Sequence, residues 1–177
     1  MTSIADIQAD LTGWPNPVVD EWILYFANDG LGWPPPEPYG AHRWGLILGQ
    51  RPVPWWKRVS WKLERANLGI ASLAPKSKGI VDTIIGDIDR ESADDETTRR
   101  FTNAFHYVLD NASLPKAVSA MQTPKGLLLL DGNHRVSAFC SLQRLPEEWF
   151  AKKGKKKAGI EQLIWVGTHP EKELPLT

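Results

Sequence analysis

The residues best suited to chemistry stand together between Leu127 and Phe139, in the stretch LLLLDGNHRVSAF. An apolar run would deliver Asp131 at its carboxyl end, Gly132 permits a sharp or left-handed turn, and Asn133, His134 and Arg135 then fall at the start of a helix. Free backbone N–H groups, the positive end of a helix and a fixed guanidinium would converge there, which is a physical recipe for holding a phosphate. Asp131 can hold a divalent metal or orient His134. His134 can donate to a phosphate oxygen or shuttle a proton near neutral pH. The competing reading is a plain strand-to-helix corner in which Asp131 or Asn133 only caps the helix. Asp, Asn, His and Arg packed without a spacer between two apolar elements favour the functional reading.

The elements that must position this loop follow from hydrophobic spacing. Gly126 to Leu130 reads as a strand and Val136 to Leu142 as a helix, so the order is strand, tight loop, helix. Thr97 to Leu109 is the clearest helix, with Phe101, Ala104, Phe105 and Val108 on one face and Asp94, Asp95 and Glu96 at its start, where the dipole favours them. Gly79 to Ile88 is a β-branched apolar run, either a buried strand or a short helix. Ser60 to Leu68 predicts a turn or two of helix with Ser60 as N-cap. Pro146 to Phe150 predicts a further helical turn and Gly159 to Val166 a closing strand. Upstream, Ile4 to Leu11 and Pro17 to Phe26 have helical spacing, with Val18, Trp22 and Phe26 on one stripe. Gly30 to Tyr39 carries enough Pro and Gly to predict an extended, polyproline-like arm.

Several side chains could support the loop. Glu64 could act as metal ligand or general base, or pair with Lys62 or Arg65 at the surface. Ser137, one helical turn from Asn133, could reach a phosphate, or serve packing. Asp87, Asp89, Glu91, Asp94 and Asp95 form an acidic run of the solvated kind. Lys152, Lys153, Lys155, Lys156 and Lys157, interrupted by Gly154, make the one dense basic patch, suited to a DNA backbone, an anionic lipid surface or plain solvation. His42, His106 and His169 look isolated, and Cys140 falls on an apolar helix face as a core thiol.

Composition narrows the function classes. With 177 residues, 42% of them hydrophobic and 24% charged, the chain has the makings of one packed domain and not of a disordered or fibrous protein. Lys plus Arg equals Asp plus Glu at 21 each, so any nucleic-acid contact must come from a local patch. A single Cys excludes an internal disulfide framework and a Cys-based zinc site. No apolar run approaches the ~18 residues needed to span a bilayer. The start of the chain lacks a signal-peptide pattern, so no integral membrane segment and a cytoplasmic location are expected. The departures from average are 14 Pro and 9 Trp, concentrated in the first third. There Trp44, Trp55, Trp56 and Trp61 could cover a core, bind a partner or stack on bases.

DGNHRVSAF after an apolar strand resembles the signature of the ParB/sulfiredoxin superfamily, whose members place a DG-x-HR, GCHR or GERR loop between a strand and a helix. The comparable layout runs from Gly79 to Val166. The resemblance implies an α+β fold, a compact ParB/sulfiredoxin-like domain with a small mixed sheet and flanking helices over residues 59–177. Residues 1–58 are then a Trp/Pro-rich N-terminal extension that packs on that domain. It further implies ATP or CTP held by its triphosphate at the loop with Mg²⁺, and chemistry ranging over nucleotide hydrolysis, phosphoryl transfer and DNA cleavage. Asp131, His134, Arg135 and Glu64 become the catalytic candidates. Gly132, Asn133, His134, Arg135 and Ser137 become nucleotide-binding candidates, Asp131 the metal ligand and the five lysines a DNA contact.

Within the superfamily, sulfiredoxin chemistry needs a Cys where this chain has Asn133. A chromosome-partitioning clamp needs a helix-turn-helix domain after the loop. A free-serine kinase needs an upstream Glu, which Glu64 could imitate. The chain is most similar to the stand-alone, plasmid-encoded fertility-inhibition branch. That similarity implies an ATPase and DNase acting on DNA about to leave through a type IV secretion channel. Its partners would be DNA and a coupling protein or relaxase, in the cytoplasm or peripheral at the inner face of the membrane. The alternatives are a nucleotide-gated adaptor that docks a protein through Trp33 or Trp55 without catalysis, and a small-molecule, serine-like kinase.

Overall fold

The computed structural model describes residues 1–176, which fold as an α+β protein around a mixed four-stranded sheet. The strands are β1 (Ser60–Asn67), β2 (Ser119–Thr123), β3 (Gly126–Leu129) and β4 (Glu161–Thr168), in the spatial order β1-β4-β2-β3. Only β2 and β4 run parallel; β1 with β4 and β2 with β3 are antiparallel. Among the described residues no helix is long and apolar enough to cross a membrane.

Each face of the sheet carries its own core. On one face lie α5 (Pro75–Asp89), α6 (Asp95–Asn111) and α7 (Asn133–Gln143), whose Val81, Ile85, Phe101, Val108 and Phe139 meet Leu127, Leu129, Ile164 and Val166. Pro75 opens α5, where its missing N–H costs nothing, and Val81 and Ile85 fall one turn apart on the buried side. Asp94 caps α6 by accepting from the Thr97 N–H at 2.8 Å. The ambiguous run 79–88 is therefore the body of a helix, and the acidic run spans its last turn (Asp87, Asp89), a turn at Glu91 and the start of α6 at Asp94 and Asp95.

The other face is covered by residues 4–59. These form α1 (Ile4–Asp10), α2 (Asn16–Val18, continued by wide π-helical turns over Val19–Leu24), α3 (Arg43–Ile47) and α4 (Val53–Trp56). Trp14, Trp22, Trp44, Trp55 and Trp56 are buried here against Met121, with Trp61 and Trp165 of the sheet packed at the margin. The rings meet mostly edge to face, as Trp22 and Trp56 do with centroids 5.1 Å apart. Most of these indole N–H groups find internal acceptors, as Trp56 does in the Leu48 carbonyl at 2.9 Å and Trp14 in that of Trp56 at 3.2 Å, while the buried Trp61 Nε1 has none. The tryptophans are a core and not a displayed surface. The Pro-rich segment is likewise no free arm, because Trp33 donates to Asp10 at 2.9 Å and Tyr39 to the Arg51 carbonyl at 2.6 Å. A strap at residues 171–176 fastens this layer: Arg58 pairs with Glu171 at 2.6 Å, Arg51 donates to the Leu174 carbonyl at 2.9 Å, and the Leu176 N–H reaches the Gly49 carbonyl at 2.7 Å.

One element overturns its sequence reading. Residues 60–67 form β1, an eight-residue strand, and not a helical turn capped by Ser60. Lys, Leu, Glu, Arg and Ala favour helix locally, but β4 offers a full-length antiparallel partner from Ser60↔Thr168 to Asn67↔Glu161, and ladder pairing outweighs weak local propensity.

Candidate functional site

The loop after β3 is built as its sequence suggests. Gly132 takes φ +87°, and a Cβ there would lie 2.3 Å from Val118 Cγ1, so both the turn and the close approach require glycine. Helix α7 starts at Asn133 with no side-chain cap. It is buried on nearly every side, through Val136, Ser137, Ala138, Phe139, Cys140 and Leu142, so its N-terminus is held rigidly. The first backbone N–H groups of such a helix have no intrahelical acceptor. The Asn133 Oδ1 is buried beside them without a hydrogen-bond partner.

Arg135 is the hub. Its guanidinium pairs with Asp131 one turn away, lies 3.4 Å from Glu21 Oε2 and donates to the Lys116 carbonyl at 3.3 Å. Glu21, carried on the π-helical turns of the opposite layer, also pairs with the Lys116 ammonium. The chain Asp131, Arg135, Glu21, Lys116 thus alternates in sign across the seam between the two layers, with the Arg135 side chain only 14% exposed. Asp131 is oriented by Arg135, and not engaged with His134. Burial pushes the Asp131 carboxyl above its ordinary range, against the pull of Arg135.

His134 stands half-buried on the α6 side of the corner. Burial, then the nearby Arg100 guanidinium, hold its imidazole below the usual histidine range, with Asp94 and Glu96 pulling the other way. Arg100 itself is held by Glu96 and the Tyr25 hydroxyl. His134, Arg135, Arg100 and Lys116 therefore surround one helix N-terminus. On the far side of Glu21 lies an open depression lined by Asp20, Glu21, Leu24, Tyr25, Asn28 and Asp29.

Two sequence candidates present no free group to the corner. Glu64 lies on β1, at the opposite edge of the sheet from β3, and three strand spacings of ~4.8 Å put it about 14 Å away. Its carboxylate pairs with Lys62 at 3.0 Å, so it is neither base nor metal ligand for the loop. Ser137 is fully buried and its hydroxyl donates to the Asn133 carbonyl at 2.8 Å, a packing role inside the first turns of α7. Gly132, Asn133, His134, Arg135 and Asp131 are the ones that assemble.

The lysine patch follows α8 (Glu147–Lys152) and is partly spoken for. Lys155 pairs with Asp110 at 2.7 Å, Lys157 donates to the Leu145 carbonyl at 2.8 Å, and Lys153 lies over the Trp149 ring at 4.8 Å. Lys152 and Lys156 are exposed. Asp110 stands ten residues beyond Arg100 on α6, so the patch begins about 15 Å along the helix from the corner.

Sequence reasoning missed Glu21, Lys116 and His169. Nothing local marks Glu21 and Lys116, because each acquires meaning only through a partner far along the chain. His169 had a signal in the spacing H-x-E-x-E. It is 1% exposed, stacks flat on Trp55 with centroids 4.4 Å apart, and shares a cluster with Glu171 and Glu173 whose candidate ligand atoms lie within 4.8 Å. Those carboxylates are committed, Glu171 to Arg58 at 2.6 Å and Glu173 to Arg51 at 3.3 Å and to the Trp55 N–H at 2.6 Å. Two arginines balance two carboxylates there, which makes an ion-pair clasp and leaves no net charge to attract a cation.

No family model matches the chain, and neither a curated protein nor a solved structure matches it.

Proposed function

We propose that the Asp131 to Arg135 corner binds the phosphates of a nucleotide such as ATP, with Mg²⁺, and hydrolyses phosphoanhydride and phosphodiester bonds. The protein would then be an ATPase and deoxyribonuclease of the ParB/sulfiredoxin kind. One observation carries this reading: a rigid, buried helix presents its N-terminus, His134 and Arg135 at the end of a strand, with Lys116 and Arg100 beside them. The β2–β3 hairpin leading through DGNHR into α7 also supports the superfamily resemblance.

The roles follow from the geometry. Incoming phosphate competes with Glu21 for Arg135 and Lys116, so these two cations exchange one anion for another and Glu21 turns into the open depression that it lines. The helix N–H groups and Arg100 add donors where charge develops. His134 is neutral near pH 7 and so can accept a proton from an attacking water. Asp131 gives one oxygen to Arg135 and would hold Mg²⁺ with the other, together with the nucleotide's own oxygens, as that ion prefers. Bound there, Mg²⁺ would neutralise phosphate charge. The acidic depression repels a polyanion, so DNA enters from the α6 side, towards Lys152 and Lys156. A role in blocking plasmid DNA transfer through a type IV secretion channel, with a coupling protein or relaxase as partner, rests on the sequence resemblance.

The serine-kinase alternative loses its acid–base carboxylate, because Glu64 is across the sheet. The tryptophan-docked adaptor loses its surface, because Trp55 is in the core and Trp33 is tied to Asp10.

The test is ATP turnover and plasmid nicking with Mg²⁺ for the wild type, His134→Ala and Arg135→Lys. Both activities should appear in the wild type and fall by about 10² or more in each variant. ATP binding without turnover would make the corner a nucleotide-binding switch without catalysis, and absence of binding would remove the proposal.

A further inference from the structure

The outer edge of β1 is open. Among the described residues, no backbone or side-chain hydrogen bond reaches the β1 backbone except from β4, and the strand contains no proline or glycine over its eight residues. An edge of this length offers an unpaired row of N–H and C=O groups to another strand. Beside it the sheet is only partly covered: Leu63 is 45% exposed and Leu163 48%, and both lie on the face shared by Trp61 and Trp165.

We propose that this edge pairs with the same edge of a second copy of the chain, giving a two-fold dimer with a continuous eight-stranded sheet. The sequence of β1 is self-complementary in one register. In an antiparallel ladder, residues that point their N–H and C=O outward face residues that do the same, and outward residues alternate along a strand. Two copies of one strand can therefore meet only with the two-fold axis through a residue. With the axis at Leu63, Leu63 meets its own copy, Lys62 faces Glu64, Trp61 faces Arg65 and Ser60 faces Ala66. Both copies supply each pair, so two opposite-charge pairs and two cation–aromatic pairs form at once. An axis at Lys62, Glu64 or Arg65 instead sets like charges directly against each other. An axis at Trp61 or Ala66 leaves most of the strand unpaired. The register at Leu63 also aligns Trp165 and Leu63 of one copy with Leu63 and Trp165 of the other in one apolar row across the new sheet.

This surface lies across the sheet from the Asp131 to Arg135 corner, so the inference stands or falls apart from the proposed activity. The test is sedimentation velocity of the full chain over a range of concentrations, with two variants at exposed or half-exposed positions. The wild type should dimerise. Glu64→Lys, which sets Lys62 against a lysine, should raise the dimer dissociation constant at least tenfold. Adding Lys62→Glu to it restores opposite charges and should return the constant to near the wild-type value. Leu63→Cys provides a direct reading of the axis, since opposed Cβ atoms in a ladder lie about 5 Å apart. It should cross-link into a disulfide dimer on mild oxidation, whereas Arg65→Cys should not. The native Cys140 gives no background, being buried with its thiol pushed up to about 11. A wild type that stays monomeric at all concentrations overturns the proposal. So does a dimer that ignores Glu64→Lys, or one that cross-links as readily at 65 as at 63.

Discussion

The two faces of one sheet are covered by opposite strategies. Beneath α5, α6 and α7 the core is aliphatic and regular, with Val, Leu, Ile and Phe from long helices falling at helical spacing. Beneath residues 4–59 the elements are short and the core is built from indoles, which bury large area per residue and need an acceptor for each N–H. Long helices let the first face hold itself together through backbone ladders. The second face depends on ring packing and on side-chain hydrogen bonds that bridge distant segments. The candidate site lies where the two meet, with Glu21 from the indole side holding Arg135 from the helical side.

The sharpest break of this contrast is removal of one large residue from each core. Trp56→Ala and Phe139→Ala, both fully buried, should each cost about 3–5 kcal/mol. For a chain of this size that is a fall in Tm of roughly 10 °C. If the faces form one cooperative unit, calorimetry gives a single transition for both variants. Two transitions in Trp56→Ala alone would show that the indole layer melts by itself.

A smaller effect is expected at the seam. Gly132→Ala places a methyl 2.3 Å from Val118 Cγ1 on a left-handed backbone, and should cost about 2 kcal/mol while displacing His134 and Arg135. Urea denaturation measures the cost. Turnover of the proposed reaction should fall further than the stability loss explains. A Gly132→Ala variant with wild-type stability would mean that the corner adapts freely, and the rigidity argued for α7 would be wrong.

The smallest effect is electrostatic. The His134 pKa is lower in the folded chain than its ordinary 6.5, so between those two values the unfolded state binds more protons and stability falls with falling pH. The wild-type Tm should drop as the pH is lowered through about 6.5. His134→Gln should flatten that part of the profile, and a profile unchanged by the substitution would place His134 in water.

The helical side was legible because its apolar residues repeat at helical spacing over long elements, as in Phe101, Ala104, Phe105 and Val108. The strand, loop and helix around DGNHR were legible because an apolar run, a glycine and a second apolar run bound four polar residues. Strand β1 was not legible. Its composition is helical, and only the 161–168 strand, about a hundred residues on, makes it extended. Glu64 was misplaced with it, since a helix could have swung the carboxylate to the loop and an edge strand cannot. Ser137 failed for a related reason: spacing sets a face, but the depth of that face depends on α5 and α6. The tryptophans announced that something large was being covered without saying whether it was a core or a partner. Glu21 and Lys116 had no local mark, because an ion pair across the seam is a property of two segments and not of either.

The strap at 171–176 gives the indole layer a mechanical character. Residues 4–59 are held covalently where they run into β1, and held again where Glu171, Leu174 and Leu176 grip Arg58, Arg51 and Gly49. The grips run in antiparallel order, 171 with 58, 174 with 51 and 176 with 49, so the strap can be lifted one grip at a time from either end. The layer therefore behaves as a latched cover. The grip nearest the Trp55 ring is Glu173, which accepts its indole N–H and pairs with Arg51.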